Sequence, residues 1–179
     1  MKKIVVNDTN VFIDLLYVGL LDKFFRLPWE IHTTDLVMLE LVKEGQKETV
    51  EVYETMGFLN VAKFDFDEVL EINKLLKRFE SKTNVSLTDC SVWYYAKQNS
   101  YALLTGDRKL RNSALSEGVE VHGIIYVFDA LVESKIIPVS MAHERLELLK
   151  EHNPRLPQNE IDKRLKLWKD KQNEEGGRL

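Results

Sequence analysis

The sequence predicts an α/β protein built around a mostly parallel sheet, with charged helices added at its C-terminal end. Three observations carry that expectation. Short apolar runs alternate with longer segments of helical periodicity, which is the pattern of strands joined by crossover helices. Two of those runs, IVVND at Ile4–Asp8 and LLTGD at Leu103–Asp107, stop on an aspartate just before a helical segment. At 179 residues and 44% hydrophobic, the chain can bury one sizeable core.

Taken in order, the stretch Ile4–Asn10 starts as a buried strand, because an unbroken apolar run is what a parallel strand covered on both faces requires. Helices are expected at Asn10–Leu16 and at Leu20–Leu27, the second ended by Pro28, followed by a short strand near Glu30–Thr33. LVMLELV, Leu36–Val42, reads as a helix starting near Thr34 or Asp35 and stopped at Gly45. Gln46–Met56 is an exposed helix that Gly57 releases into a third strand, Phe58–Ala62. Asp65 and Glu68 form a helix-start signature for Phe66–Glu80, and Ser81–Val85 is a polar break. Ser86 opens an aromatic helix through SLTDC, and Tyr101–Asp107 repeats the grammar of the first strand. A helix ended by Gly118, a fifth strand at Val119–Gly123 and a helix over Ile124–Ser134 complete the alternation.

From Ser140 the composition shifts to two charged amphipathic helices, Met141–Glu151 and Gln158–Lys171, split by the turn His152–Pro157. Lys163, Arg164, Lys166, Lys169 and Lys171 are interleaved with Glu160, Asp162 and Asp170, so a solvated face is favoured over a nucleic-acid patch. The amphipathic pattern suggests a protein contact, and Glu174–Leu179 reads as a frayed tail.

A net charge of −4 argues against coating nucleic acid through bulk electrostatics, but it does not exclude an acidic metal pocket beside a local basic strip. The apolar run after Met1-Lys2-Lys3 is too short for a signal peptide, and no run approaches membrane-spanning length. With a lone Cys90 there is no internal disulfide framework, and the expected location is the cytoplasm.

Right-handed crossovers in such a sheet bring every strand end, and every following helix start, to one edge. Asp8 and Asp107 directly follow strands, and Asp89 lies in the first turn of a helix that begins at the same edge. Glu40 is about one turn further into its helix, but helical side chains lean toward the N-terminus and this one is long enough to reach back. Like charges within ~4 Å cost about 4 kcal/mol per pair even at an effective dielectric near 20. Either some of these carboxylates hold protons or a divalent cation neutralises them, and an all-oxygen set suits Mg²⁺ or Mn²⁺ rather than zinc.

Each acid also has a local duty open to it. Asp89 can close a capping box from Ser86, Asp8 and Asp107 can cap helices, and Glu40 can pair with an arginine. Thr9, Asn10 and Asp14 read as capping and packing residues, with Asn10 also placed to hold the Asp8 carboxylate. His32, His122, His143 and His152 show no paired ligand spacing.

Taken together, DTN at Asp8–Asn10, the LVMLEL run with Glu40, SLTDCSVWYYA with Asp89 and LLTGD with Asp107 resemble, in order and spacing, the four acidic motifs of the PIN-domain nucleases. The resemblance covers Ile4–Leu131, and His122–Pro138 is similar to the subfamilies that include VapC-type toxins. It implies a three-layer α/β/α fold with a five-stranded parallel sheet in the order 3-2-1-4-5, residues 1–139 forming the nuclease domain and 140–179 a helical extension. It implies Mg²⁺- or Mn²⁺-dependent endoribonuclease activity, a homodimer, and a small antitoxin partner over the acidic pocket. Asp8, Glu40, Asp89 and Asp107 are then the catalytic and metal-binding residues. Asn10 and Thr105 would orient ligands or water, and Arg108, Lys109 and Arg111 would touch RNA phosphates. Two readings within the same fold stay open: a nuclease of RNA processing, and a non-catalytic binding or assembly module. A phospho-acceptor receiver built on Asp8, Asp65, Thr105 and Lys109 is a further alternative, but it leaves Glu40, Asp89 and Asp107 without a role.

Overall fold

A computed structural model describes residues 2–176. The elements follow in the order β1 (Lys3–Asn7), α1 (Thr9–Tyr17), α2 (Leu21–Phe24), β2 (Trp29–Thr34), α3 (Asp35–Glu40), α4 (Gln46–Thr55), β3 (Leu59–Ala62) and α5 (Phe66–Thr83). Then come α6 (Leu87–Asn99), β4 (Ala102–Leu104), α7 (Arg108–Ser116), β5 (Val121–His122), α8 (Ile124–Glu133), α9 (Val139–His152) and α10 (Gln158–Gly176). The five strands form one parallel sheet in the order β3-β2-β1-β4-β5, and the fold is the expected three-layer α/β/α with C-terminal helices. The chain steps from β1 to β3 in one direction and from β4 to β5 in the other. Right-handed crossovers therefore place the connecting helices on opposite faces, and the direction reverses between β1 and β4.

Packing divides the described residues into two compact units, one holding 2–13 together with Pro28–Gly123, and the other Asp14–Leu27 with 124–176. The first unit contains the whole sheet. Its register pairs Val6 with His32 on one side and Asn7 with Leu104 on the other. His32 and Thr34 both hydrogen-bond side chains of α6, Tyr95 and Ser91, at 2.9 Å. Side chains alternate along a strand, so the face carrying Val6, His32 and Thr34 is the α6 face. Asp8, one step past β1, continues that face. On the far side of α6, the buried Cys90 packs with Ile72 and Val85, and Trp93 is fully buried against the edge of Phe79, 4.7 Å between centroids.

Several helix boundaries differ from expectation for physical reasons. The helix expected to run to Val42 and stop at Gly45 ends at Glu40, because Leu41 leaves helical geometry (φ −76°, ψ 76°) to bury its side chain, and the Val42 amide closes a tight turn on the Glu40 carbonyl at 2.9 Å. Gly45, at φ 77°, instead starts α4, using the left-handed conformation that glycine adopts freely. Helix α2 keeps only Leu21–Phe24 of the expected Leu20–Leu27. Helix α5 runs through most of the expected polar break to Thr83, and the chain turns at Asn84, φ 56°. The fifth strand is reduced to Val121–His122. Of the expected frayed tail, Glu174–Gly176 continue α10, and 177–179 lie outside the described residues.

In the second unit α9 buries Ala142, Leu146 and Leu149, and α10 buries Ile161, Leu165 and Trp168, each at helical spacing. Trp168 lies 6.4 Å from Phe128 of α8, and Arg164 pairs with Asp129 at 2.9 Å. Tyr17 stacks on His152 at 3.5 Å, and Asn153 donates to Asp14 at 3.1 Å. The amphipathic pattern that suggested an external protein contact is thus used inside the chain. Among the described residues no helix is long and apolar enough to cross a membrane.

Candidate active site at the carboxyl edge of the sheet

Asp8 and Asp107 emerge from the two central strands on either side of the reversal point, where open α/β sheets place ligands. The Asp8 amide donates to the Leu104 carbonyl at 3.0 Å, which carries the β1–β4 pairing one residue further and sets Asp8 beside Thr105. Asp8 is buried, 1% exposed, and both of its carboxylate oxygens are held. Oδ1 accepts from the Thr9 amide at 2.7 Å. Oδ2 accepts from the Thr105 hydroxyl at 2.8 Å and from Asn10 Nδ2 at 3.3 Å. Thr105 Oγ1 in turn accepts from the Asp107 amide at 3.0 Å, so one hydroxyl links the two strand-end aspartates.

The other three acids each commit one oxygen locally. Asp107 caps α7, its Oδ1 accepting from the Lys109 and Leu110 amides at 2.7 and 2.8 Å. Asp89 closes the capping box of α6, its Oδ2 accepting from the Ser86 amide at 2.7 Å while Ser86 Oγ accepts from the Asp89 amide at 3.0 Å. Glu40 is the last residue of α3 and accepts the Thr9 hydroxyl on Oε2 at 2.7 Å, in place of the arginine pairing open to it in the sequence. The second oxygen of each, Asp107 Oδ2, Asp89 Oδ1 and Glu40 Oε1, has no hydrogen bond among the described residues. The local caps therefore leave a free oxygen on each of these side chains.

Charge repulsion ties the four together. Burial, and then the charge of Asp89, push the Asp8 carboxyl up to about 7 against the pull of its hydrogen bonds. Asp89 is raised as well, first by burial, then by Asp107 and Glu40, with its Ser86 bonds opposing. Asp89 thus lies within electrostatic reach of the other three acids. None of the ion pairs among the described residues involves any of the four. Among the described residues no three His, Cys, Asp or Glu side chains are gathered closely enough to hold a metal ion as they stand. The donor chemistry nevertheless fits a hard cation: all four groups are carboxylates, three carry an uncommitted oxygen, and among the described residues no basic side chain pairs with them.

The basic residues divide. Arg108 and Lys109 are exposed on the first turn of α7, whereas Arg111 is half-buried with its Nη1 turned toward Gly123. Asp107 consumes the Lys109 and Leu110 amides, so side chains rather than these amides are left to meet an anion at that helix start. His32 is a satisfied core histidine held by Tyr95 and Glu30, each at 2.9 Å. The residue that sequence reasoning passed over is Thr9, read as a packing residue but found bonded to both Asp8 and Glu40. Its partner in α3 is 31 positions away, and nothing local announces it.

A protein-family model described as a PIN domain (DUF3368) matches residues 4–170. No match was found among curated proteins. Among solved structures, the chain is similar to PAE2754 from Pyrobaculum aerophilum at 18% identity, covering 74% of this chain and 99% of that one, with a TM-score of 0.50. It is similar to VapBC2 from Rickettsia felis, solved bound to a DNA fragment from its promoter, at 13% identity over 67% of this chain and 98% of that one, TM-score 0.46. A third likeness is to FitAcB from Neisseria gonorrhoeae, 16% identical over 68% of this chain and 99% of that one, TM-score 0.44. At its identity the first of these speaks for the fold alone.

Proposed function

This chain belongs to the PIN-domain family, and from that premise we propose that it is a Mg²⁺- or Mn²⁺-dependent endoribonuclease, the toxin of a type II toxin–antitoxin pair. The observation that carries the reading is the set of four acids at one sheet edge, with Asp8 buried and its carboxyl pushed up to about 7 by that burial and then by the charge of Asp89. In this reading residues 1–139 are the nuclease domain, the protein is a homodimer, and a small antitoxin restrains it by covering the acidic edge.

Asp8, Asp89 and Asp107, with Glu40, would hold the cation. Bound there, it supplies a water of lowered pKa and offsets charge on the scissile phosphate. The chain's own residues do the rest. Thr105 and Asn10 hold Asp8 Oδ2 against rotation, and Thr105 fixes the start of α7 relative to β1. The capping bonds of Asp89 and Asp107 fix where each carboxylate sits while leaving one oxygen of each free. Arg108 and Lys109, and Arg111 beside them, contact RNA phosphates, and a single-stranded or looped RNA is the substrate because its bases are open to readout.

The test is cleavage of a mixed pool of structured and unstructured RNAs by the purified, partner-free protein in Mg²⁺, Mn²⁺ or EDTA, beside D107N. Cleavage that requires the metal, leaves 5′-phosphate ends and disappears in D107N is the expected result. A folded, metal-loaded protein that cuts nothing would instead favour a binding or assembly role. Replacing Arg108 and Lys109 together by alanine is expected to raise KM about tenfold with kcat nearly unchanged, and to lower the salt dependence of binding by about one power of concentration. Unchanged KM in that variant would remove the phosphate-contact role from α7.

A further inference from the structure

We propose that Thr9 is the positioning residue that fixes Glu40 at the acidic edge. The inference rests on the metal-dependent reading above. Glu40 is an exposed side chain at the very end of α3, and the helix does not continue past it to restrain it: Leu41 has already left helical geometry. A glutamate in that position loses rotamer freedom only if something holds its carboxylate. Thr9 is buried, 5% exposed, and its hydroxyl donates to Glu40 Oε2 at 2.7 Å.

The division of labour within Thr9 makes this possible. Its amide already serves Asp8 Oδ1 at 2.7 Å, so the hydroxyl proton is free for the second carboxylate. One residue in the first turn of α1 therefore sets the spacing between an acid delivered by β1 and an acid delivered by α3. Because the donor occupies Oε2, Oε1 is left without a hydrogen bond among the described residues and would be the oxygen open to a cation. A hydroxyl is a suitable clamp here: it donates to the ionised group without adding a charge that would compete with the metal.

The experiment is Mn²⁺ binding to the full-length protein, followed by electron paramagnetic resonance and calorimetry, for wild type, T9V, T9S, E40Q and T9V/E40Q. T9V keeps the shape and deletes the donor, and T9S keeps the donor. T9V is expected to weaken Mn²⁺ binding about tenfold or more, T9S to stay within about threefold of wild type, and the double variant to bind no more weakly than E40Q alone, since the carboxylate that the clamp positions is already gone. In RNA cleavage, the Mn²⁺ activation curve of T9V shifts to higher metal while KM for RNA stays put. Metal-free melting curves of T9V and wild type should coincide, because an exposed Glu40 released from its clamp is taken up by water. T9V that binds Mn²⁺ as tightly as wild type, or that adds its full effect to E40Q, overturns the inference and leaves the nuclease reading standing. A folded wild type that binds no Mn²⁺ overturns both.

Discussion

Replacing Asp8 by asparagine is expected to abolish RNA cleavage and, in the metal-free protein at pH 8, to raise the melting temperature. The two effects have one cause. Burial lifts the Asp8 carboxyl from 3.8 to about 7, so between those pH values the folded protein keeps a proton that the unfolded chain has released, and at pH 8 it holds a buried charge. The stability linked to this group is intact below pH 4, is lost progressively as pH rises from 4 to 7, and is gone above that. Carrying the carboxyl from 3.8 to about 7 corresponds to a ceiling of about 4 kcal/mol. Asparagine cannot ionise, but its single acceptor oxygen cannot keep the bonds from Thr9, Thr105 and Asn10 together, so a net gain of about 2 kcal/mol is the better expectation. That corresponds to roughly 4–8 °C for a chain of this size.

Saturating Mg²⁺ should erase most of the difference, because an ion bound only by the folded wild type stabilises it in proportion to its affinity. The loss of cleavage should reach at least two to three orders of magnitude, on the order of what removing one preorganised charge-stabilising group costs. Parallel melts at pH 4 and pH 8, with and without Mg²⁺, check the stability half. A D8N protein that is less stable than wild type at pH 8 without metal would mean that the Asp8 charge is already compensated in the folded state.

What could be read in the sequence was local, and what could not was made by residues far apart in the chain. The strand-to-aspartate grammar at Asp8 and Asp107 placed both acids correctly, because a parallel strand and the helix start after it are fixed by neighbouring residues. The helix-start signature of Asp65 with Glu68 forms both of its bonds, at 3.0 and 2.9 Å, and the Ser86 box does too. The end of α3 was misplaced because Leu41 leaves the helix for burial, a tertiary preference that propensity does not contain. The Thr9–Glu40 bond was invisible for the same reason. So the sequence pointed to the acids at the edge and to Thr105 beside them, but not to the Thr9 hydroxyl that holds Glu40.

Asp14 supplies the control that separates a functional buried acid from a merely structural one, and D14N is expected to stabilise the protein at pH 8 whether or not Mg²⁺ is present. Asp14 is 3% exposed, its Oδ2 is buried without a hydrogen bond among the described residues, and its Oδ1 accepts from Asn153 Nδ2 at 3.1 Å. Burial pushes its carboxyl up to about 6, opposed by the Asn153 bond and by the charge of His152, which stacks on Tyr17 close by. The sign is the same as at Asp8: the linked stability is present below pH 4 and lost between 4 and 6. The ceiling is about 3 kcal/mol for a shift of about two units. Asparagine can keep the bond from Asn153 and leaves a neutral amide where a charge was stranded, so a net gain of about 1–2 kcal/mol, roughly 3–6 °C, is expected. Among the described residues no other carboxylate contributes to the shift at Asp14, whereas Asp89 contributes at Asp8. A divalent cation should therefore reduce the D8N gain and leave the D14N gain alone, with cleavage by D14N at the wild-type rate. If Mg²⁺ reduced both gains equally, the cation would be acting on the folded protein as a whole rather than at the acidic edge, and the assignment of Asp8 as a ligand would lose its thermodynamic support.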